Sequence, residues 1–208
     1  MSFSKTVRRT NISLDKHQLE QVDNFKYLGS IFSQDGRLEQ EIQHRCNKAN
    51  QIIGQMSPIL KCKHVSMDTK RTLFNTIFLP TLCYQCQTWS LTSKDRGKIV
   101  TTEMKCLRRM LGVTRRDCFR NEDIRKKVGT RPVLDYIRKQ QIKWFGHVTR
   151  MPTDRAPQRA LMFSYNGYKA RGWPRKRWIT DISEATKTTI YESHKKAWSR
   201  DLFLPLTL

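Results

Sequence analysis

The groups in this sequence best placed to do chemistry are cations. Arg108-Arg109 and Arg115-Arg116 flank Met110-Leu111-Gly112, and Arg120, Arg125, Lys126 and Lys127 follow. Spread through and just beyond a helix, such a series forms a stripe able to track one phosphate backbone; the competing use is a solvated helix face. A second run is Arg171-Gly172-Trp173-Pro174-Arg175-Lys176-Arg177-Trp178. It interleaves charge with indole rings around a chain-stiffening proline. That suits backbone contact by Arg171, Arg175, Lys176 and Arg177, with Trp173 and Trp178 as stacking platforms. The run nearly matches the Arg-Gly-Arg-Pro core of a minor-groove hook. Trp173 stands at the second arginine of that core, and an indole does not enter a narrow groove the same way. A nuclear-import signal or generic basic patch is the plainer alternative.

Other chemistries find less support. Metal-assisted phosphoryl transfer needs carboxylates held together by rigid elements. The adjacent acids Glu122-Asp123 fall in a helix's first turn, where they complement the dipole. Neither a phosphate-cradling glycine loop nor a nucleophile elbow is present. Cys83 and Cys86 have the spacing of half a zinc site, but His17, His44, His64, His147 and His194 are single and widely separated. Cys62-Lys63-His64 is the other candidate couple. Cys46 and Cys106 fall on apolar stripes and read as small buried hydrophobes. The chain alone therefore shows no catalytic residue, metal or cofactor; a small zinc protein built on Cys83 and Cys86 stays open as an alternative.

The elements that must position the cations are mainly helical. Phe25 to Phe32 is rich in aromatic and β-branched residues and predicts a strand, with a turn at Ser33-Gln34-Asp35-Gly36. Ile12 to Val22 predicts another strand around a polar turn, so residues 1–37 form a small β element. From Leu38 the apolar period becomes three and four residues: Leu38, Ile42, Cys46, Ala49, Ile53 and Met56 mark a helix that Pro58 closes. A second helix, Met67–Leu79, buries Leu73, Phe74, Ile77 and Phe78, and Pro80 kinks or ends it. Leu82 to Trp89 reads as helix or strand. Ser93 caps a helix through Leu111 that stops at Gly112; Asn121 caps a short one ending at Gly129; Pro132 opens one that runs to Met151. Beyond a linker near Pro152–Pro157, residues 152–208 form a basic, partly flexible C-terminal region with a helical turn or two over Ile179–Ala185. The helical domain is thus 38–151.

Composition agrees. The 208 residues carry 40 Lys+Arg against 18 Asp+Glu, a net +22, with 38% hydrophobic residues. That apolar content supports a core, and no run approaches the roughly 18 apolar residues of a membrane span. The opening MSFSKTVRRTNIS has no apolar core of a secretory signal. These features predict a globular protein that is not secreted, nuclear or else cytoplasmic, with a polyanion as partner. Residues 1–103 hold 15 basic and 9 acidic groups, whereas residues 104–208 hold 25 and 9, so phosphate contacts concentrate in the second half.

Five stretches, in order, carry a resemblance. Val22-Asp23-Asn24-Phe25-Lys26-Tyr27-Leu28-Gly29-Ser30-Ile31, with Asp35-Gly36 and Glu41-Ile42, resembles the segment after the palm of LINE-type (non-LTR) retrotransposon reverse transcriptases. Leu79-Pro80-Thr81-Leu82-Cys83-Tyr84 with Thr88-Trp89 is similar to that family's P-x-L-x-Y-G-x-E-T-W stretch. Leu107-Arg108-Arg109-Met110-Leu111-Gly112 matches its LR-x-x-LG helix, and Lys143-Trp144-Phe145-Gly146-His147-Val148 with Arg150-Met151 its L-x-W-x-GHV-x-R-M. The run from Arg171 to Trp178 is similar to RGRPRKRW. Gln85 and Gln87 depart from the family's Gly and Glu, and Trp173 from an arginine. The resemblance implies the palm edge with its primer grip, a helical thumb and a basic C-terminal region. In the intact enzyme these would hold template RNA and primed target DNA, an RNA–DNA hybrid included. The magnesium-binding paired aspartates, and the endonuclease domain usually upstream, match no position here. The expectation is thus a truncated open reading frame that binds nucleic acid without catalysis. The alternative is a co-opted, standalone chromatin- or RNA-associated binder.

Overall fold

A computed structural model describes residues 11–163 and 177–198. The chain is mainly α. Two short hairpins, β1 (Ser13–Leu14) with β2 (His17–Gln18) and β3 (Asn24–Tyr27) with β4 (Ser30–Ser33), precede the helices. These are α1 (Glu39–Lys61), α2 (Met67–Leu73), α3 (Leu79–Leu82), α4 (Ser93–Leu111), α5 (Asn121–Val128), α6 (Val133–Thr149), α7 (Ala156–Met162), α8 (Trp178–Thr186) and α9 (Ile190–Trp198). Among the described residues no helix is long and apolar enough to cross a membrane. Two compact units result. One comprises Met1–Tyr84 and Ser93–Thr130; the other comprises Gln85–Thr92 and Arg131–Leu208. The helical stretch 38–151 is therefore shared between two bodies.

In the first unit, α1 packs chiefly on α4. The stripe Ile42, Cys46, Ala49, Ile53 and Met56 is buried as its period requires, against Ile99, Cys106, Leu107 and Met110 of α4. Pro58 does not close α1, which runs on to Lys61. Fully buried Leu60 lies beyond the proline, and its packing outweighs the lost backbone bond.

Pro80 is likewise passed. Between α2 and α3 the chain forms a π-helical turn, Phe74–Phe78, in which the Leu79 N–H donates to the Phe74 carbonyl. The wider turn makes room for the proline ring and keeps the rod continuous. It also rotates Ile77 off the predicted buried side, leaving it exposed, while Phe74 and Phe78 stack with ring centroids 5.1 Å apart.

The predicted single strand from Phe25 to Phe32 is instead the β3–β4 hairpin. Leu28 and Gly29 both take positive φ, +45° and +85°, and turn the chain back. Buried groups from α1 hold this turn. Glu41 accepts the Ile31 N–H at 2.7 Å and Arg45 Nε at 2.6 Å, Arg45 Nη2 donates to the Gly29 carbonyl, and the Tyr84 hydroxyl donates to the Leu28 carbonyl at 3.2 Å. The aromatic content that suggested one long strand comes from Phe25, Tyr27 and Phe32, all exposed.

Two neighbouring cations of α2 reach two other helix ends. Buried Lys70 places Nζ 3.4 Å from the Met110 carbonyl in the last turn of α4. Arg71 Nη1 donates to the Val128 carbonyl, the last residue of α5, at 3.4 Å. Both complement the negative pole of a helix. Gly129 follows α5 at φ +74°, and a Cβ there would stand 2.6 Å from Arg71 Nη1.

The stretch Leu82–Trp89 resolves beyond α3 into a turn and, in the second unit, a 3-10 helix, Cys86–Thr88, entered through Gln85 at φ +57°. Trp89 is buried and its carbonyl accepts Gln141 Nε2 of α6 at 2.7 Å. The apolar face of α6, Ile137, Phe145 and Val148, is covered, with Ile182 and Ala197 from α8 and α9 completing a cluster around Phe145. The anticipated turn or two over Ile179–Ala185 belongs to the longer α8. The anticipated linker gives way to α7, with Pro157 in its first turn.

Candidate nucleic-acid interface

Residues Arg108 and Arg109 occupy the last turn of α4, where basic side chains oppose the helix pole. Gly112, at φ +69°, ends the helix: the Val113 N–H returns to the Arg108 carbonyl at 3.0 Å. The loop that follows is organised by Asp117. Its carboxylate accepts the Thr114 N–H at 2.6 Å and the Thr114 hydroxyl at 2.9 Å, and these bonds hold it below the ordinary carboxylate range. Arg115 and Arg116 stand exposed on this loop.

Arg108, Arg109 and Arg115 meet at an open cavity of about 780 Å³, joined by Lys61 from the end of α1 and Lys105 from α4. Its wall carries five cations and no carboxylate. Their hydrogen bonds go to neutral acceptors: Arg108 Nη2 to Asn121 Oδ1 (2.9 Å), Arg109 Nη1 to the Ile53 carbonyl (3.3 Å), Lys105 Nζ to Asn50 Oδ1 (2.8 Å). Several other cations of the unit are paired with acids, as in Arg45–Glu41, Lys94–Glu39 and Arg125–Glu103. Positive charge is therefore gathered at this cavity with no acid in its lining, and one donor, Arg108 Nε, is buried without an acceptor among the described residues. A buried donor without a partner costs about 1–3 kcal/mol.

Lys61 and Lys105 were not among the predicted contacts. Lys105 was findable, because it sits three and four residues before Arg108 and Arg109 on the same helical face. Lys61 was not, since its approach depends on α1 continuing past Pro58.

Other predicted contacts fall elsewhere. Arg116 is exposed but does not line the cavity. Arg125, expected on the basic stripe, turns inward to the fully buried Glu103, and Lys127 Nζ lies 4.3 Å from the Phe119 ring centroid. In the second unit, Arg177 is exposed just before α8. Trp178, expected to stack on bases, is committed inward: Nε1 donates to the Gln87 carbonyl at 2.7 Å and the ring packs on Phe145. It is half-buried as the first residue of α8, packed on the cluster around Phe145 of α6. Arg171, Trp173, Arg175 and Lys176 lie outside the described residues. Cys83 and Cys86 are both buried, and no group of three His, Cys, Asp or Glu suited to a metal occurs among the described residues.

Comparison with known proteins places these observations. The chain is similar to a transposon-derived protein of Caenorhabditis elegans, 30% identical over 138 residues, which cover 64% of this chain and 49% of that protein. It thus spans about half the length of the curated relative it matches. No family model and no solved structure matches it. The likeness is consistent with an origin in a transposable element.

Proposed function

We propose that this chain is a nucleic-acid-binding part of a LINE-type reverse transcriptase, holding template RNA and primer DNA without itself supplying catalytic carboxylates. The observation that carries the reading is the cavity walled by Lys61, Lys105, Arg108, Arg109 and Arg115 with no acid among its lining. Five cations gathered around one cavity, in a chain of net +22, are suited to phosphate. The transposon-derived relative supports the same direction, and so does the helical bundle that follows the β3–β4 hairpin.

The test is equilibrium binding of the full chain to single-stranded RNA, duplex DNA and an RNA–DNA hybrid across a salt series. A steep salt slope with preference for RNA or hybrid is the expected result. Equal affinity for all three would reduce the protein to a general polyanion binder, the behaviour of a standalone chromatin-associated protein. Weak binding to each at low salt would overturn the reading.

A further inference from the structure

Beneath its cationic rim the cavity has an apolar floor. Val100 and Val113 are half-buried there and Met104 is 2% exposed, so the floor presents methyl and thioether groups rather than further charge. A wall made only for the outside of a duplex needs no such recess, because phosphates are reached from a surface. A volume of about 780 Å³ lies in the range of cavities that enclose a small ligand and is too small for a turn of duplex. Arg108 lines the recess, and its buried Nε has no acceptor among the described residues.

We infer that this cavity takes one unpaired nucleotide of a bound strand, its phosphate on the arginine and lysine rim and its base against Val100, Met104 and Val113. The inference rests on the nucleic-acid reading above. In a continuous duplex the bases are stacked and paired, so only an unpaired residue can lay its flat face on the floor. Thr101 lines the recess, is exposed and carries no charge, so a bulky side chain there fills part of the recess without removing a cation.

The experiment compares the full chain's affinity for a blunt DNA duplex and for the same duplex bearing a short unpaired overhang, together with calorimetric titration of AMP. The overhang duplex is expected to bind about tenfold more tightly, the worth of one modest base contact. Thr101→Trp, with its fold checked by circular dichroism, erases that preference at an unchanged salt slope. Arg108→Lys, which keeps the charge but removes Nε–H, weakens it. Retention of the full preference in both variants overturns the inference. So does equal binding of the two duplexes with a steep salt slope, an outcome that leaves the nucleic-acid reading standing. Saturable AMP binding with no overhang preference would assign the recess to a free nucleotide and overturn the strand-bound form. Failure of every nucleic acid to bind at low salt refutes the underlying reading itself.

Discussion

Glu103 of α4 is fully buried, and its carboxylate accepts both Nε and Nη2 of Arg125 from α5, at 3.3 and 2.6 Å. The pair fastens α5 to the rest of its unit. Removing one partner strands a charge away from water, so Arg125→Ala is expected to destabilise the chain by about 3–5 kcal/mol. Replacing both by apolar residues of similar size should cost much less. Chemical denaturation of the two variants measures the difference; equal losses would show that the charges act separately.

Gln85 holds φ +57°, a left-handed conformation that costs a residue with a Cβ roughly 1–2 kcal/mol. Gln85→Gly relieves this cost and gives back part of it as unfolded-state entropy. A net gain of up to about 1 kcal/mol is expected, seen as a higher denaturation midpoint at unchanged slope. A loss on substitution would mean that the side chain's contacts outweigh the strain.

The Asp117 carboxyl lies below its ordinary value of 3.8 because the ionised form accepts the Thr114 N–H and hydroxyl. A carboxyl depressed by folding stabilises the folded loop above its unfolded value, and that contribution is lost as pH falls through the folded one. The loop carrying Arg115 should therefore hold its form from neutral pH down to about pH 4 and loosen below it. Amide exchange at Thr114 is the measurement, and Asp117→Ala should show the faster exchange already at neutral pH.

Thiol chemistry separates the cysteines. Burial pushes the Cys106 thiol up to about 12, and Cys46 upward too, whereas Cys118 is exposed among arginines. A thiol-specific reagent at mildly alkaline pH should modify Cys118 rapidly and leave Cys46, Cys83, Cys86 and Cys106 untouched until the chain unfolds. Mass spectrometry of the labelled peptides decides it; early labelling of Cys106 would contradict the α1–α4 packing.

Neutralising Lys61, Lys105 and Arg115 to Gln should lower affinity for every nucleic acid and flatten the salt dependence by up to roughly three units of slope. Lys61, Lys105 and Arg115 are exposed, so stability should stay near the parent's. An unchanged slope would remove this cavity from the interface.

Much of the fold was legible because helices advertise themselves. The stripe of α1 was set by its period, α4 and α6 by their starts at Ser93 and Pro132, and the ends at Gly112 and Gly129 by the positive φ that closes a helix. What escaped was decided by distant residues. Two prolines looked like stops because local sequence cannot see Leu60 buried beyond one, or a π turn opening ahead of the other. The hairpin turn at Leu28-Gly29 was hidden because Glu41, Arg45 and Tyr84 hold it from later in the chain. Of the site, Arg108, Arg109 and Arg115 were readable as charge in a row. Their gathering at one cavity was not, since Lys61 arrives from another helix and Arg125 leaves the row for a buried acid.

Lys70 and Arg71, adjacent on α2, touch the chain at Met110 and again at Val128. The segment between those points, which includes the arginine loop and all of α5, is therefore a cord tied at both ends to one post. A cord so tied has already surrendered most of its wandering when the chain folds. A polyanion arriving at Arg115 meets charges gathered in advance and has little ordering left to impose. Association should then be quick and leave only a small heat-capacity signature, unlike that of a basic tail that folds as it binds.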